Sequence, residues 1–297
     1  MATRKTVTFL ASGILATATA LDYRYKVFST HFSRKIHIPQ LSSIQSWIQS
    51  VISPPNSPYI VHADSVPNPV ITPWNWDWDG RQNQTEVVDD ASGDGAKPNK
   101  RPVCSRHLIF IRHGQYHDAD NDADCHLTRL GREQLYLTGM RLKQLNFPYS
   151  VVHYSTMTRA IESTEEVLKH LTHVKAIPSD ALQEGAPYQL EPPLSYYRPS
   201  ENVLRVDGQR IESAFKHFVH RPELTQTKDS YEIFVCHANV IRYVVCRALQ
   251  IPPEAWIRFS LDHGSITWLV VRSDGRVTLR CLGDSAHMPP DKISINN

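Results

Sequence analysis

The sequence predicts an α/β fold, a three-layer sandwich with a mostly parallel central sheet flanked by helices. Three observations carry that expectation. His107-Leu108-Ile109-Phe110-Ile111 and Ile233-Phe234-Val235-Cys236 are unbroken apolar runs, as in strands buried on both faces. Leu135, Leu142 and Leu145, with Thr138, recur at helical spacing between such runs. From Arg106 onward strand-like and helix-like segments alternate, which is the pattern of a sheet with helices on both faces.

Taken in order, the elements are a strand at 107–111, then a helix from Leu127 to Leu145 that Thr128 can cap. A strand at Val151-Val152-His153-Tyr154-Ser155 precedes a helix from Thr158 to Leu171. A further helix runs from Ile211 to Val219. The strand Tyr231–Cys236 leads into a helix at Val240–Leu249. Ser265–Val271 and Arg276–Cys281 form a hairpin around Ser273-Asp274-Gly275.

The first third of the 297-residue chain has a different texture. Residues 6–21, TVTFLASGILATATAL, carry no charge and follow Arg4-Lys5. The stretch is shorter than the roughly 20 residues that span a bilayer as a helix. Ala18-Thr19-Ala20 also fits a signal-peptide cleavage pattern. Basic residues on both flanks, with Arg24, Lys26, Arg34 and Lys35 after it, favour a short snorkelling anchor over a cleaved signal or a disordered leader. Residues 1–24 are thus expected to form an anchor or targeting segment, 25–105 a linker, and 106–297 the folded domain. The linker is rich in proline and holds the polar run Gln82–Lys100. Within it, Leu41, Ile44, Ile48 and Val51, with Trp47, mark an amphipathic helix that stops at Pro54-Pro55. That face suits a membrane or a partner, and equally a short helix packed on the main domain. Trp74-Asn75-Trp76-Asp77-Trp78-Asp79 carries half of the six tryptophans. Aromatics in a tether need a docking site, either on another chain or on their own.

A net charge of +2 leaves no acidic or basic block to dictate a partner, and nothing points to nucleic acid. Five scattered cysteines, Cys104, Cys125, Cys236, Cys246 and Cys281, with no Cys-x-x-Cys, read as free thiols. Asp118, Asp120, Asp122 and Asp124 alternate like the start of an EF-hand loop. However, Ala123 stands where glycine is needed and Arg129 where glutamate is needed, so no metal is expected there. The loop reads as a solvated rim.

The chemistry lies at strand ends, where α/β sheets bind ligands. One strand ends Arg112-His113-Gly114 and another Cys236-His237-Ala238, while Ser155-Thr156-Met157-Thr158-Arg159 sends an arginine to the same edge. Any one of these alone is ordinary surface or core material. If the strands are neighbours, Arg112, Arg159, His113 and His237 line a pocket for a phosphate dianion. His113 is then a nucleophile. The guanidiniums, and His237 if protonated, hold the phosphoryl oxygens. Gly114 is expected to leave room for the phosphate. Glu184, on the Gln183-Glu184-Gly185-Ala186-Pro187 loop, is a candidate general acid, with an ordinary solvated glutamate as the alternative.

Arg-His-Gly at a strand end, arginine in Ser-x-Met-x-Arg-Ala and a late histidine resemble the histidine phosphatase, or phosphoglycerate mutase, superfamily. RHGQYH, LTRLGREQ, YSTMTRAIES, EGAP, SYEIFVCHANVIRY and MPPDKI extend the resemblance over roughly 106–297. Within that family it is similar to the membrane-anchored mitochondrial serine/threonine protein phosphatases. The resemblance implies a phosphoglycerate mutase-like sheet, His113 as phosphohistidine nucleophile, and Arg112, Arg159 and His237 around the phosphate. It further implies Glu184 as the acid, phosphoproteins as substrates and no cofactor. Trp74, Trp78 and Asp79 match the family's tryptophan motif, which implies homo-oligomers, up to dodecamers. The acid phosphatase branch places aspartate after the second histidine. Here Ala238 follows His237, which favours Glu184 as the proton donor. A small-molecule phosphatase or mutase, and a multimeric scaffold with incidental activity, are the competing expectations.

Overall fold

The computed structural model describes residues 72–82 and 103–295. The apolar segment 6–21, the amphipathic stretch 41–51 and residues 83–102 of the polar linker lie outside the described residues. Among the described residues, no helix is long and apolar enough to cross a membrane.

Six strands form one sheet in the order β3-β2-β4-β1-β5-β6. They are β1 (Ser105–Arg112), β2 (Tyr149–Ser155), β3 (Lys175–Ser179), β4 (Ser230–Cys236), β5 (Ile266–Arg272) and β6 (Val277–Asp284). The pairs β1/β4, β2/β4 and β2/β3 are parallel, whereas β5 runs antiparallel to both β1 and β6. The sheet is therefore mixed: three of its five strand pairs are parallel, as the sequence suggested for most of it, and both antiparallel pairs involve β5. A hairpin's two arms are necessarily antiparallel, and β5 carries that reversal to the flank of β1.

The central strand β1 explains its own unbroken apolar run. Leu108 and Phe110 join the core on one face, and Ile109 and Ile111 the core on the other. Leu135 and Leu142 of α1 (Arg129–Leu145) and Val167 of α2 (Thr158–Leu168) pack with Ile109 and Ile111. On the opposite face, Ile211 and Phe215 of α3 (Glu201–Phe218) and Val240, Ile241 and Val244 of α4 (Ala238–Ala248) pack with Leu108, Phe110 and Phe234. Apolar residues on alternate sides of each strand thus feed two cores. The Thr128 hydroxyl caps α1 by accepting from the Gly131 N–H. All five cysteines are free.

The elements depart from the sequence expectation at several points. Helix α3 begins ten residues earlier, at Glu201, because the Ser200 hydroxyl caps it. Its first turns are polar and partly exposed, so periodicity alone missed them. Strand β3 was not anticipated. It is five residues long, contains Pro178 and sits at the sheet edge, where a missing N–H is tolerated. Helix α2 stops at Leu168, three residues short of Leu171.

The tryptophan segment docks on its own chain, the second of the two options above. Arg272 pairs with Ser105 at the start of β1, so the β5–β6 turn lies at the end of the sheet remote from His113. There the Trp78 indole N–H donates to the Gly275 carbonyl at 2.8 Å. Asn75 and Gln250 exchange two hydrogen bonds. Asp79 pairs with Arg221 at 2.7 Å, and both side chains are only 2% exposed. Burial alone would raise the Asp79 carboxyl, but the Arg221 hydrogen bonds outweigh it and hold the group below the usual carboxylate range.

A buried charge stripped of its partner is strongly destabilising. Asp79→Ala leaves the Arg221 guanidinium with the Trp76 carbonyl as its remaining acceptor in this segment. The expected loss is about 3–5 kcal/mol in denaturant unfolding. A loss no larger than that of an exposed control such as Asp274→Ala would show that the pair does not hold the segment.

Candidate active site

The β1–β4 register places Arg112 opposite Cys236, so the next residue of each strand, His113 and His237, emerges at the same edge. The His113 N–H bonds to the Cys236 carbonyl at 3.0 Å, and the two imidazole centroids lie 5.1 Å apart. Strand β2 borders β4 on its other side and ends at Ser155, so the start of α2 brings Arg159 to this edge. Arg159 is buried, with its guanidinium 4.8 Å from the Tyr116 ring, and Tyr116 contacts His113 edge-on.

The ring orientations define the tautomers. His113 Nδ1 lies 2.9 Å from the Gly114 carbonyl. A carbonyl only accepts, so Nδ1 carries the proton and Nε2 keeps a lone pair. Burial first, then His237, Arg112 and Arg159, hold this imidazole well below the ordinary histidine range, so it is neutral. His237 Nε2 lies 2.8 Å from Ser155 Oγ, which also accepts from the Met157 N–H. The Ser155 hydroxyl can then donate to Nε2, leaving His237 with its proton on Nδ1. That atom is buried and has no hydrogen-bond partner among the described residues. Burial, followed by Arg159, Arg112 and Arg210, keeps His237 neutral as well. The sequence reading allowed a protonated His237. In the structure it offers a neutral N–H donor, because a second buried charge beside the guanidiniums is disfavoured.

Arg112 is anchored through Nη1, which donates to the Leu261 and Ile295 carbonyls at 2.6 and 2.8 Å. Burial pushes its guanidinium down to about 10, and it remains charged near neutrality. The Nε atoms of Arg112 and Arg159 are buried without partners among the described residues. Glu184 sits on the loop between β3 and α3. Burial raises its carboxyl above the usual range, against the opposing pull of the Gly185 N–H, Arg159, Arg112 and Arg242. Arg210 ties down this loop by donating to the Gln183 and Glu184 carbonyls. The Asn239 amide holds Gly185.

Arg112, His113, Arg159, Glu184 and His237 therefore converge. Trp74, Trp78 and Asp79 lie at the other end of the sheet. Gly114 has a different job from the one expected. A Cβ there would meet the Gly131 carbonyl at 2.5 Å and a Leu135 methyl at 2.6 Å, so the glycine admits helix α1 and not the phosphate. The acidic loop is also more than a rim. Asp122 caps α2 through the Thr158 N–H and pairs with Arg159 at 3.2 Å, while Asp118, Asp120 and Asp124 are exposed.

Sequence reasoning missed Arg242, Asn239, Arg210, Ser155, Tyr116 and Asp122. For Arg242 a signal existed. Asn239 and Arg242 share a helix face at i,i+3 immediately after His237, which points both toward the carboxyl edge. Arg210 offered none, because it reaches the Glu184 loop across 26 residues of chain.

Two buried neutral histidines bring a pH dependence of stability. Their folded affinity for protons is depressed, whereas an unfolded histidine titrates near 6.5. Below that pH the unfolded chain takes up protons that the native state refuses, so stability falls as pH falls. Each such histidine contributes up to about 1.4 kcal/mol per pH unit in that window. Glu184 acts with the opposite sign, because its raised carboxyl favours the native state at low pH, but His107, His153, His170, His220 and His287 are also lowered by burial and add to the effect of the two site histidines. Urea midpoints measured from pH 7.5 to 5 should decline below about 6.5. A flat profile would contradict the neutral assignment.

Comparison with known proteins agrees with this geometry. The model of the histidine phosphatase superfamily (branch 1) matches residues 108–284. A Xenopus tropicalis protein named serine/threonine-protein phosphatase PGAM5, mitochondrial, is 51% identical over 230 residues, covering 74% of this chain and 82% of that protein. The Homo sapiens protein of the same name is 47% identical over 230 residues, covering 74% and 80%. One from Caenorhabditis briggsae is 44% identical over 230 residues, with the same two coverages. With two histidines, two arginines and a raised carboxyl at one sheet edge, this chain belongs to the histidine phosphatase superfamily, branch 1.

Proposed function

We propose that this protein is a mitochondrial protein phosphatase that removes phosphate from phosphoserine and phosphothreonine through a phosphohistidine on His113. The observation that carries the reading is the neutral His113, whose Nδ1 proton is held on the Gly114 carbonyl so that its Nε2 lone pair is left for attack, beside Arg112, Arg159 and His237. Relatives as similar as 51%, named as mitochondrial serine/threonine phosphatases, support the substrate class and compartment.

The geometry supports the following steps. Arg112, Arg159 and the His237 Nδ1–H receive the phosphoryl oxygens. Their fixed positions stabilise charge without reorganisation. The His113 lone pair attacks phosphorus and the bond to the seryl or threonyl oxygen breaks. Glu184, whose carboxyl burial raises, gives its proton to that oxygen. A phosphate dianion beside it raises its carboxyl further. Water then attacks phosphorus and breaks the P–N bond, its proton returns to Glu184, and inorganic phosphate leaves.

His113→Ala should lower phosphate release from a phosphoserine peptide at least about a thousandfold, and an acid-labile phosphoenzyme should form on the wild type only. Retention of full activity would refute the nucleophile. Glu184→Gln should cost about a hundredfold on the peptide and far less on p-nitrophenyl phosphate, whose leaving group needs no proton. Equal losses on the two substrates would remove Glu184 as the acid.

We infer further that the segment 6–21 anchors the chain in a mitochondrial membrane and that Trp74, Trp78 and Asp79 help to join copies. The compact, ion-paired fold of residues 74–79, which leaves Trp76 43% exposed, supports the second inference. Trp78→Ala should reduce assembly size, since the indole that holds this segment to its own domain contributes on the order of a few kcal/mol, and without it the segment no longer presents Trp76 in a fixed position. An unchanged sedimentation coefficient would contradict it.

A further inference from the structure

A cavity of about 550 Å³ borders the catalytic edge. Its walls come from the 192–197 loop, from α4 and from residues 256–260, the last of which run on to Leu261, the carbonyl that holds Arg112. Asn239, two residues beyond His237, lines it, and Arg242 and Arg258 contribute two guanidiniums.

Among the described residues neither guanidinium forms an ion pair with a carboxylate, although Glu184 acts on Arg242 through space. Arg106 is paired with Glu232, Arg221 with Asp79 and Arg247 with Glu212. Arg242 instead donates to the Asn239 amide oxygen, and Arg258 to the Glu191 carbonyl. Both acceptors are neutral. The Arg242 Nε is buried with no hydrogen-bond partner among the described residues. Tyr197 adds a phenol to the same wall. Burial first, and Glu184 and Asp207 after it, push that phenol up to about 12, so it remains a donor. Two guanidinium forks and a phenol O–H around one cavity form a donor set for carboxylate or phosphate oxygens.

Reach sets the position of that group along a bound peptide. Arg242 stands five residues after His237, roughly 7.5 Å along the helix axis. An extended chain advances about 3.3 Å per residue, so the distance corresponds to two or three positions.

We propose that this cavity is a specificity subsite that takes an anionic side chain, a carboxylate or a second phosphate, two or three residues from the phosphoserine or phosphothreonine being cleaved. This rests on the protein phosphatase reading above. Discrimination comes from filling a cation-lined cavity that a neutral side chain leaves uncompensated.

The test uses the full chain and phosphoserine peptides that differ only at positions two and three on either side. The variants carry alanine, glutamate, a second phosphoserine or lysine, with p-nitrophenyl phosphate measured in parallel. The readout is the ratio of kcat/KM for each charged peptide to that for the alanine peptide, so a general loss of activity cancels. The wild type should favour glutamate or phosphoserine by about tenfold, as charge-assisted hydrogen bonds do. The glutamate and phosphoserine arms distinguish the two sources of anion. In Arg258→Gln, and in Arg242→Gln, the ratio should fall toward one. A wild-type ratio of one, with all peptides hydrolysed, overturns the subsite and leaves the phosphatase reading intact. A preference for lysine also overturns it and shifts recognition to the exposed aspartates at 118–124. If only p-nitrophenyl phosphate is hydrolysed, the protein phosphatase reading fails and the subsite with it.

Discussion

The parallel pairing of β1 with β4 is the constraint on which the rest depends. Its register sets Arg112 against Cys236 and therefore brings two imidazoles from positions 113 and 237 to one edge. A slip of one residue would turn each side chain of β1 to the opposite face. It would move Leu108 and Phe110 out of one core and Ile109 and Ile111 out of the other. Packing on both faces consequently enforces the geometry of the chemistry. The His113–Cys236 hydrogen bond continues the ladder one step beyond the sheet and fixes the backbone from which the nucleophile projects.

At that edge, electrostatic forces compete and burial decides the outcome. Guanidiniums from Arg112, Arg159 and Arg242 stand near two histidines and a glutamate. Because the imidazoles are enclosed, they release protons in preference to adding charge to a cationic cup. The result suits phosphoryl transfer, with a nucleophile that is unprotonated and arginines that stay charged. Glu184 resolves the same competition in the other direction. Desolvation raises it more than the arginines lower it, which favours the protonated form that a leaving oxygen requires. Neighbouring groups are thus driven apart in proton affinity by one shared environment.

The two ends of the sheet carry different features. At the amino end, the Trp74–Asp79 segment is pinned by a buried ion pair and an indole hydrogen bond. At the carboxyl end, the catalytic residues are held by hydrogen bonds that cross long stretches of chain. Arg210 reaches the Glu184 loop, Asn239 reaches Gly185, and Arg112 reaches Ile295. Helix α4 serves both the site and the adjoining cavity, since His237 precedes it and Asn239 and Arg242 sit on its first turns. Asp122 couples the acidic loop to the start of α2, and so to Arg159.

Much of this was legible in the sequence because it is written locally. Apolar runs marked β1 and β4, Thr128 marked the start of α1, and Ser273-Asp274-Gly275 marked the hairpin. Arg112, His113, Arg159 and His237 could be singled out because each sits where a strand ends or a helix begins. Other features emerged only with the tertiary structure. Strand β3 exists because β2 offers it an edge to pair with. Gly114 is glycine because α1 presses against it. The neutrality of His237 and the raised carboxyl of Glu184 come from enclosure by residues far away in the chain. Periodicity and caps depend on neighbours in sequence. Strand partners, protonation states and the arginines of the adjoining cavity depend on neighbours in space, which are set only when the two cores close.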